Sequence, residues 1–172
     1  MKKNEHINFY CVDNDLLSLD SFQKNFHPGY DNFTLNTFNS VQSFLKKLEN
    51  DTKNKNPKIV FMDNLVFSRG LKTKTALELI SPIKNIDKDI AIVIFADSDN
   101  LDLNATSSNI KVSAFLKKDM HFFVKLYPLI NRLISEYELR KKEKTTKIVT
   151  LITLILILVS AIAFGIGITI YS

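Results

Sequence analysis

Five short apolar or β-rich runs recur along the chain, and each gap between them is long enough for a helical crossover. They are INFYCV (7–12), FTLNTF (33–38), KIVFM (58–62), IAIVIF (90–95) and VSAFL (112–116). The first, third and fourth are nearly continuous in apolar residues, as expected of strands buried on both faces. Helical spacing fills the gaps. Leu16, Leu19, Phe22 and Phe26 form one stripe. Val41, Phe44, Leu45 and Leu48 form another, behind Ser40 as a helix cap. Ala76, Leu79, Ile80 and Ile83 point inward from a helix over 74–86, where Pro82 is expected to kink or shorten it. A weak polar helix is expected at 100–110. The last helix begins near His121, although Pro128 favours a later start. The order βαβαβαβαβα predicts an α/β fold: a doubly wound five-stranded parallel sheet covered by helices on both faces.

A second feature lies at 148–171, IVTLITLILILVSAIAFGIGITIY, which holds no charged residue. A helix of that length is about 36 Å long, enough to cross a hydrocarbon core of about 30 Å. It is expected to be a single-pass C-terminal transmembrane helix. The preceding RKKEKTTK (140–147) carries five Lys/Arg and one Glu, net +4 out of +5 for the chain. Such a flank marks the cytoplasmic side and favours anionic headgroups. The chain start has a basic residue pair but no sustained apolar run, so no signal peptide is read there. The expected organisation is a folded domain over 1–139 in the cytoplasm, a basic juxtamembrane linker over 140–147, and the membrane helix. With the basic charge concentrated in the linker, a nucleic-acid surface is not supported. The single cysteine, Cys11, sits in an apolar run and reads as a buried thiol. His6, His27 and His121 show no metal-ligand spacing.

Acids stand where two of the apolar runs end. Asp13 follows the first, in VDND, and Asp63 follows the third, in MDN. In a sheet of order 2-1-3-4-5 these strands are neighbours, and their carboxyl ends flank the topological switch point. Asp13 and Asp63 should therefore approach each other. Two close carboxylates repel unless a cation or proton lies between them, and an oxygen-lined pocket suits Mg²⁺. The fifth run continues into FLKKD, which puts Lys117 or Lys118 at the same edge, able to balance the acids or hold a phosphoryl oxygen.

This constellation resembles the receiver domain of two-component response regulators, a flavodoxin-like fold, over about residues 6–138. The resemblance implies that Asp63 is a phosphoacceptor, attacking a phosphohistidine as a carboxylate nucleophile with Mg²⁺ neutralising charge. It implies a histidine kinase or phosphotransfer protein as partner. Asp13 and Asp63 would be metal ligands, Lys118 the phosphate-contacting lysine and Phe115 the switch aromatic. The chain departs from the family pattern in several places. Asn14 stands where a second acid is usual, giving a neutral and weaker ligand. Asp15 could compensate, but its place at a helix start reads as a cap. Ala96 stands where a Thr or Ser is usual, with Ser98 two residues late. Asp119 replaces the Pro after the lysine, and Val66–Phe67 replaces a Met-Pro pair.

Two readings follow. In one, the chain is a membrane-tethered receiver in phosphorelay signal transduction. In the other, it is a pseudo-receiver, an interaction module at the membrane that works without phosphorylation. No nucleophile–base pair or glycine loop supports an α/β enzyme. Leu126, Leu129, Ile130, Leu133, Ile134 and Tyr137 make the last soluble helix broadly apolar, which leaves it free to pair with another copy, as a homodimer, or with a partner.

Overall fold

A computed structural model describes residues 6–68, 72–96 and 112–171. The chain divides into two compact units, Met1–Leu133 and Ile134–Ser172. In the first, β1 (Ile7–Val12), α1 (Leu16–Asn25), β2 (Phe33–Phe38), α2 (Val41–Asn50) and β3 (Lys58–Asp63) follow in turn. A hairpin of β4 (Leu65–Ser68) and β5 (Lys72–Thr75) comes next, then α3 (Ala76–Ile86), β6 (Ala91–Ala96), β7 (Ala114–Lys117) and α4 (Phe122–Tyr171). Strands β1, β2, β3, β6 and β7 form one five-stranded sheet in the order β2-β1-β3-β6-β7, and every pairing in it is parallel. Counting sheet strands alone, this is the expected order 2-1-3-4-5, flavodoxin-like.

The period of two in a strand sends alternate residues to opposite faces. Tyr10, Val12, Val60, Met62, Ile92 and Ile94 share a core with Val41, Phe44 and Leu48 of α2 and Ala76, Leu79, Ile80 and Ile83 of α3. Phe9, Phe61 and Phe95 have the other parity and belong to an aromatic layer with Phe22, Phe26 and Phe122. Near-continuous apolar strands are what a sheet covered on both faces requires. Two of the buried polar side chains, Tyr10 and Lys58, are partnered across the fold. The Tyr10 hydroxyl donates to Asp51 at 2.7 Å, and the buried Lys58 ammonium reaches Asp87 at 2.9 Å and the Asn54 carbonyl at 2.6 Å.

Several expectations need correcting. Leu16 does not face the core: it opens α1 and is 64% exposed, whereas Leu19 and Phe22 are buried. Helical spacing alone does not say which end of a stripe is in the first, solvent-facing turn. Pro82 does not shorten α3, which runs on to Ile86. Nor does Pro128 delay α4, which starts at Phe122 with Pro128 inside it. The β4–β5 hairpin was not expected at all. Residues 140–147, expected as a linker, are helical and continue α4. Leu126, Ile130 and Leu133 are buried within the domain. A second copy of the chain could therefore not use them without unpacking it. The polar helix expected at 100–110 lies outside the described residues.

Among the described residues no helix is long and apolar enough to cross a membrane. The apolar residues described on the distal part of α4, from Ile148 to Val159, are each more than half exposed. The side chains from 161 onward lie outside the description.

Candidate functional site

Parallel pairing sets the level of the two acids. Val12 of β1 is in register with Met62 of β3, so Asp13 and Asp63 leave the sheet side by side. The turn after each strand holds its carboxylate. Asp13 Oδ1 accepts the Asp15 amide at 2.9 Å, and Asp63 Oδ2 accepts the Leu65 amide at 3.2 Å. Lys118 follows β7 directly and reaches both acids. Its Nζ lies 2.6 Å from Asp63 Oδ1 and 3.0 Å from Asp13 Oδ2. The exposure of the three side chains is 10% for Asp13, 19% for Asp63 and 26% for Lys118. Carboxylates so withdrawn from water need a charged partner, and the ammonium between them is that partner. Burial pushes the Lys118 pKa down, but its hydrogen bonds to Asp63 and Asp13 and their charges outweigh this, so the net shift is up. Lys118 therefore stays an ammonium at neutral pH, and the three groups together carry one net negative charge.

The neighbouring positions fall as follows. Asp15 caps α1, accepting the Leu17 and Ser18 amides and the Ser18 hydroxyl. Those hydrogen bonds, led by the Ser18 hydroxyl, hold its carboxyl below the usual range. The Asn14 side-chain amide donates to the Leu65 carbonyl at 2.7 Å, tying the β1–α1 turn to the start of β4. Asp119 accepts the His121 amide and the Lys125 ammonium. Ala96 ends β6 in register with Lys117, while Ser98 lies outside the described residues. Phe115 sits on β7, opposite Ile94, half-buried against the core on the α2–α3 side.

The structure thus brings Asp13, Asp63 and Lys118 together, places Asn14 one residue from Asp13, and puts Phe115 on β7, the strand that leads into Lys118. Sequence reasoning missed the Leu65 carbonyl, a backbone group with no signature of its own. Among the described residues no cluster of three or more His, Cys, Asp or Glu could hold a metal ion. Two carboxylates suit a hard cation, but here an ammonium already lies between them. The third oxygen would have to come from the neutral Asn14 or the backbone.

No family model matches the chain, and no curated protein matches it. Solved structures do. The signal receiver domain of an HD domain-containing protein from Pseudomonas fluorescens Pf-5 aligns with a TM-score of 0.62 at 14% identity, over 81% of this chain and 94% of that one. A response regulator receiver domain protein from Clostridium thermocellum gives 0.59 at 17% identity, over 77% and 98%. Full-length FixJ from B. japonicum gives 0.59 at 20% identity, with 83% of this chain covering 63% of that one. The fold is the receiver fold. At these identities the likeness is one of architecture. Within the receiver fold, the acid pair and its lysine stand at the carboxyl edge of the central strands, where open α/β sheets place their ligand sites.

Proposed function

We propose that the chain is a membrane-tethered receiver that accepts a phosphoryl group on Asp63 from a phosphohistidine of a histidine kinase or phosphotransfer protein. The observation that carries this is the Lys118 ammonium within hydrogen-bond distance of both Asp63 and Asp13. In the transfer, an Asp63 oxygen attacks phosphorus, a P–O bond forms and the P–N bond to the imidazole breaks. Lys118, already held at the site, pairs with the incoming phosphoryl oxygens. Asp13 and Asp63 would hold Mg²⁺, which supplies charge neutralisation during transfer. Acetyl phosphate with Mg²⁺ should add one phosphoryl group to the chain, read by intact mass. No uptake would favour the pseudo-receiver.

That second reading has an observation of its own. The acid pair is already neutralised in part by Lys118, and the Asn14 amide is spent on the Leu65 carbonyl. A site satisfied in this way can hold its shape with neither metal nor phosphate. The Asn14→Asp variant separates the two readings. It replaces an amide with a third carboxylate beside the pair. Two unit charges about 4 Å apart interact by roughly 4 kcal/mol at an effective dielectric near 20, an upper bound for a hydrated ion. Mg²⁺ affinity by calorimetry should rise at least about tenfold over the wild type. An unchanged affinity would mean that the pocket does not take the metal.

The membrane tether rests on the uncharged run 148–171 and its net +4 flank. Full-length protein should float with liposomes in a density gradient, and a chain ending at residue 139 should remain at the bottom. Co-flotation of the truncated chain would remove the tether from this proposal.

A further inference from the structure

A cavity of about 470 Å³ opens beside the acid pair, between α1 and the start of α4. It lies wholly within the first unit. Its size is in the range of small-molecule sites. Four aromatic rings line it: Phe22, Phe95, Phe122 and Phe123. They are in mutual contact, with ring centroids 4.7 Å apart for Phe95–Phe122 and 5.1 Å for Phe122–Phe123. Leu17 and Met120 stand at the mouth, 78% and 92% exposed. An apolar ligand body would cover both of these exposed side chains.

The charged groups at the same cavity select the ligand's sign. Asp13, Asp15 and Asp119 line it, with Lys118 as its cation. Lys118 is shared with Asp63, and Asp119 is shared with Lys125. Among these six described groups, four carboxylates face two ammoniums, a formal balance of −2. Asp15 accepts hydrogen bonds from the Leu17 amide and from the Ser18 amide and hydroxyl. An anion would meet that field with Lys118, the lining cation among the described residues, already engaged twice. A cation would meet carboxylates at the rim and the half-buried Phe122 and Phe123 rings within, both of which attract it.

We propose that this cavity binds a small organic ammonium ion with an apolar body, of the arylalkylamine or quaternary ammonium class. Recognition needs no phosphoryl transfer, so it stands or falls separately from the role of Asp63.

The chain's three methionines provide the test. With ¹³C-methyl methionine in the full chain, held in a non-ionic detergent, Met120 reports the cavity mouth. Met62, fully buried in the opposite core, reports the fold. The probe is phenethylammonium, without Mg²⁺ or phosphodonor, against 2-phenylethanol and phenylacetate of the same shape. The expected result is a saturable shift of the Met120 methyl with the ammonium, with Met62 unmoved. The alcohol should bind about tenfold more weakly, and the carboxylate more weakly still. Asp15→Asn keeps an equally good helix cap. It should weaken ammonium binding about two- to fivefold, the scale of one exposed charge. Equal shifts from all three probes would mean apolar partitioning and would overturn the proposal. So would a Met120 signal that stays still at millimolar ammonium, or an Asp15→Asn variant with unchanged affinity.

Discussion

The full chain carrying Asp63→Asn is expected to take up no phosphoryl group from acetyl phosphate under conditions that label the wild type. The substitution is nearly isosteric, so the strand end stays in place. The amide oxygen can still accept the Lys118 hydrogen bond that Asp63 Oδ1 accepts at 2.6 Å. What goes is the anionic oxygen that would attack phosphorus, and an amide is no substitute nucleophile. The cost to the fold is small. Asp63 Oδ2 accepts one backbone amide at 3.2 Å, and an Asn NH₂ placed there would face that amide donor against donor. The pair's charge changes as well: Lys118 then faces a single carboxylate, Asp13, and the cluster becomes neutral. Labelling is expected to fall to background while the thermal unfolding temperature changes by only a few degrees. Label surviving on the Asp63→Asn chain would place the acceptor elsewhere.

Much of this arrangement could be read from residue order, for an identifiable reason. Strands buried on both faces must be apolar at nearly every position, so β1, β3 and β6 announce themselves, and acids at their ends stand out against the run. Asp15 as a cap, rather than a metal ligand, followed from its place one residue before the first helical position, and the structure puts its carboxylate on the Leu17 and Ser18 amides. The hairpin after Asp63 was less legible. Its strands, LVFS and KTKT, are only four residues each. The second alternates Lys with Thr and contains no apolar residue that could be counted. In the sequence a glycine, Gly70, separates the two short segments and was the available signal. The direction of Lys118 was legible only to within one residue. Lys117 and Lys118 are adjacent, and which one reaches the acids depends on where β7 ends. The strand keeps Lys117, in register with Ala96, and releases Lys118. The contact between Asn14 and the Leu65 carbonyl has no sequence signal because one partner is main chain.

Phe61→Ala is expected to be the most destabilising single change on the α1–α4 side of the sheet. Phe61 is fully buried on the central strand β3. Its ring stacks on Phe9 at 5.9 Å and Phe95 at 5.6 Å, and contacts Phe22 and Phe26 at 5.5 and 5.7 Å. Four neighbours from two strands, α1 and the residue that ends α1 meet there, so no single side chain can swing in to fill the space left behind. Truncating a buried Phe costs about 3–5 kcal/mol, at the high end where the site cannot collapse. A domain of this size has only about 5–15 kcal/mol of net stability to lose. In urea, at an m-value of about 2 kcal/mol/M, the midpoint should drop by about 2 M. Phe123→Ala is the comparison. That ring belongs to the same aromatic layer, 5.9 Å from Phe22, but is only half-buried at the cavity. Removing it opens space to solvent rather than leaving a closed void, so its midpoint should fall by less than half as much. The consequence reaches the site, because Phe61 lies two residues before Asp63 on the same face of β3. If the two variants unfold at the same urea concentration, the aromatic layer is not one packed unit. The acid pair would then owe its position to the turns alone.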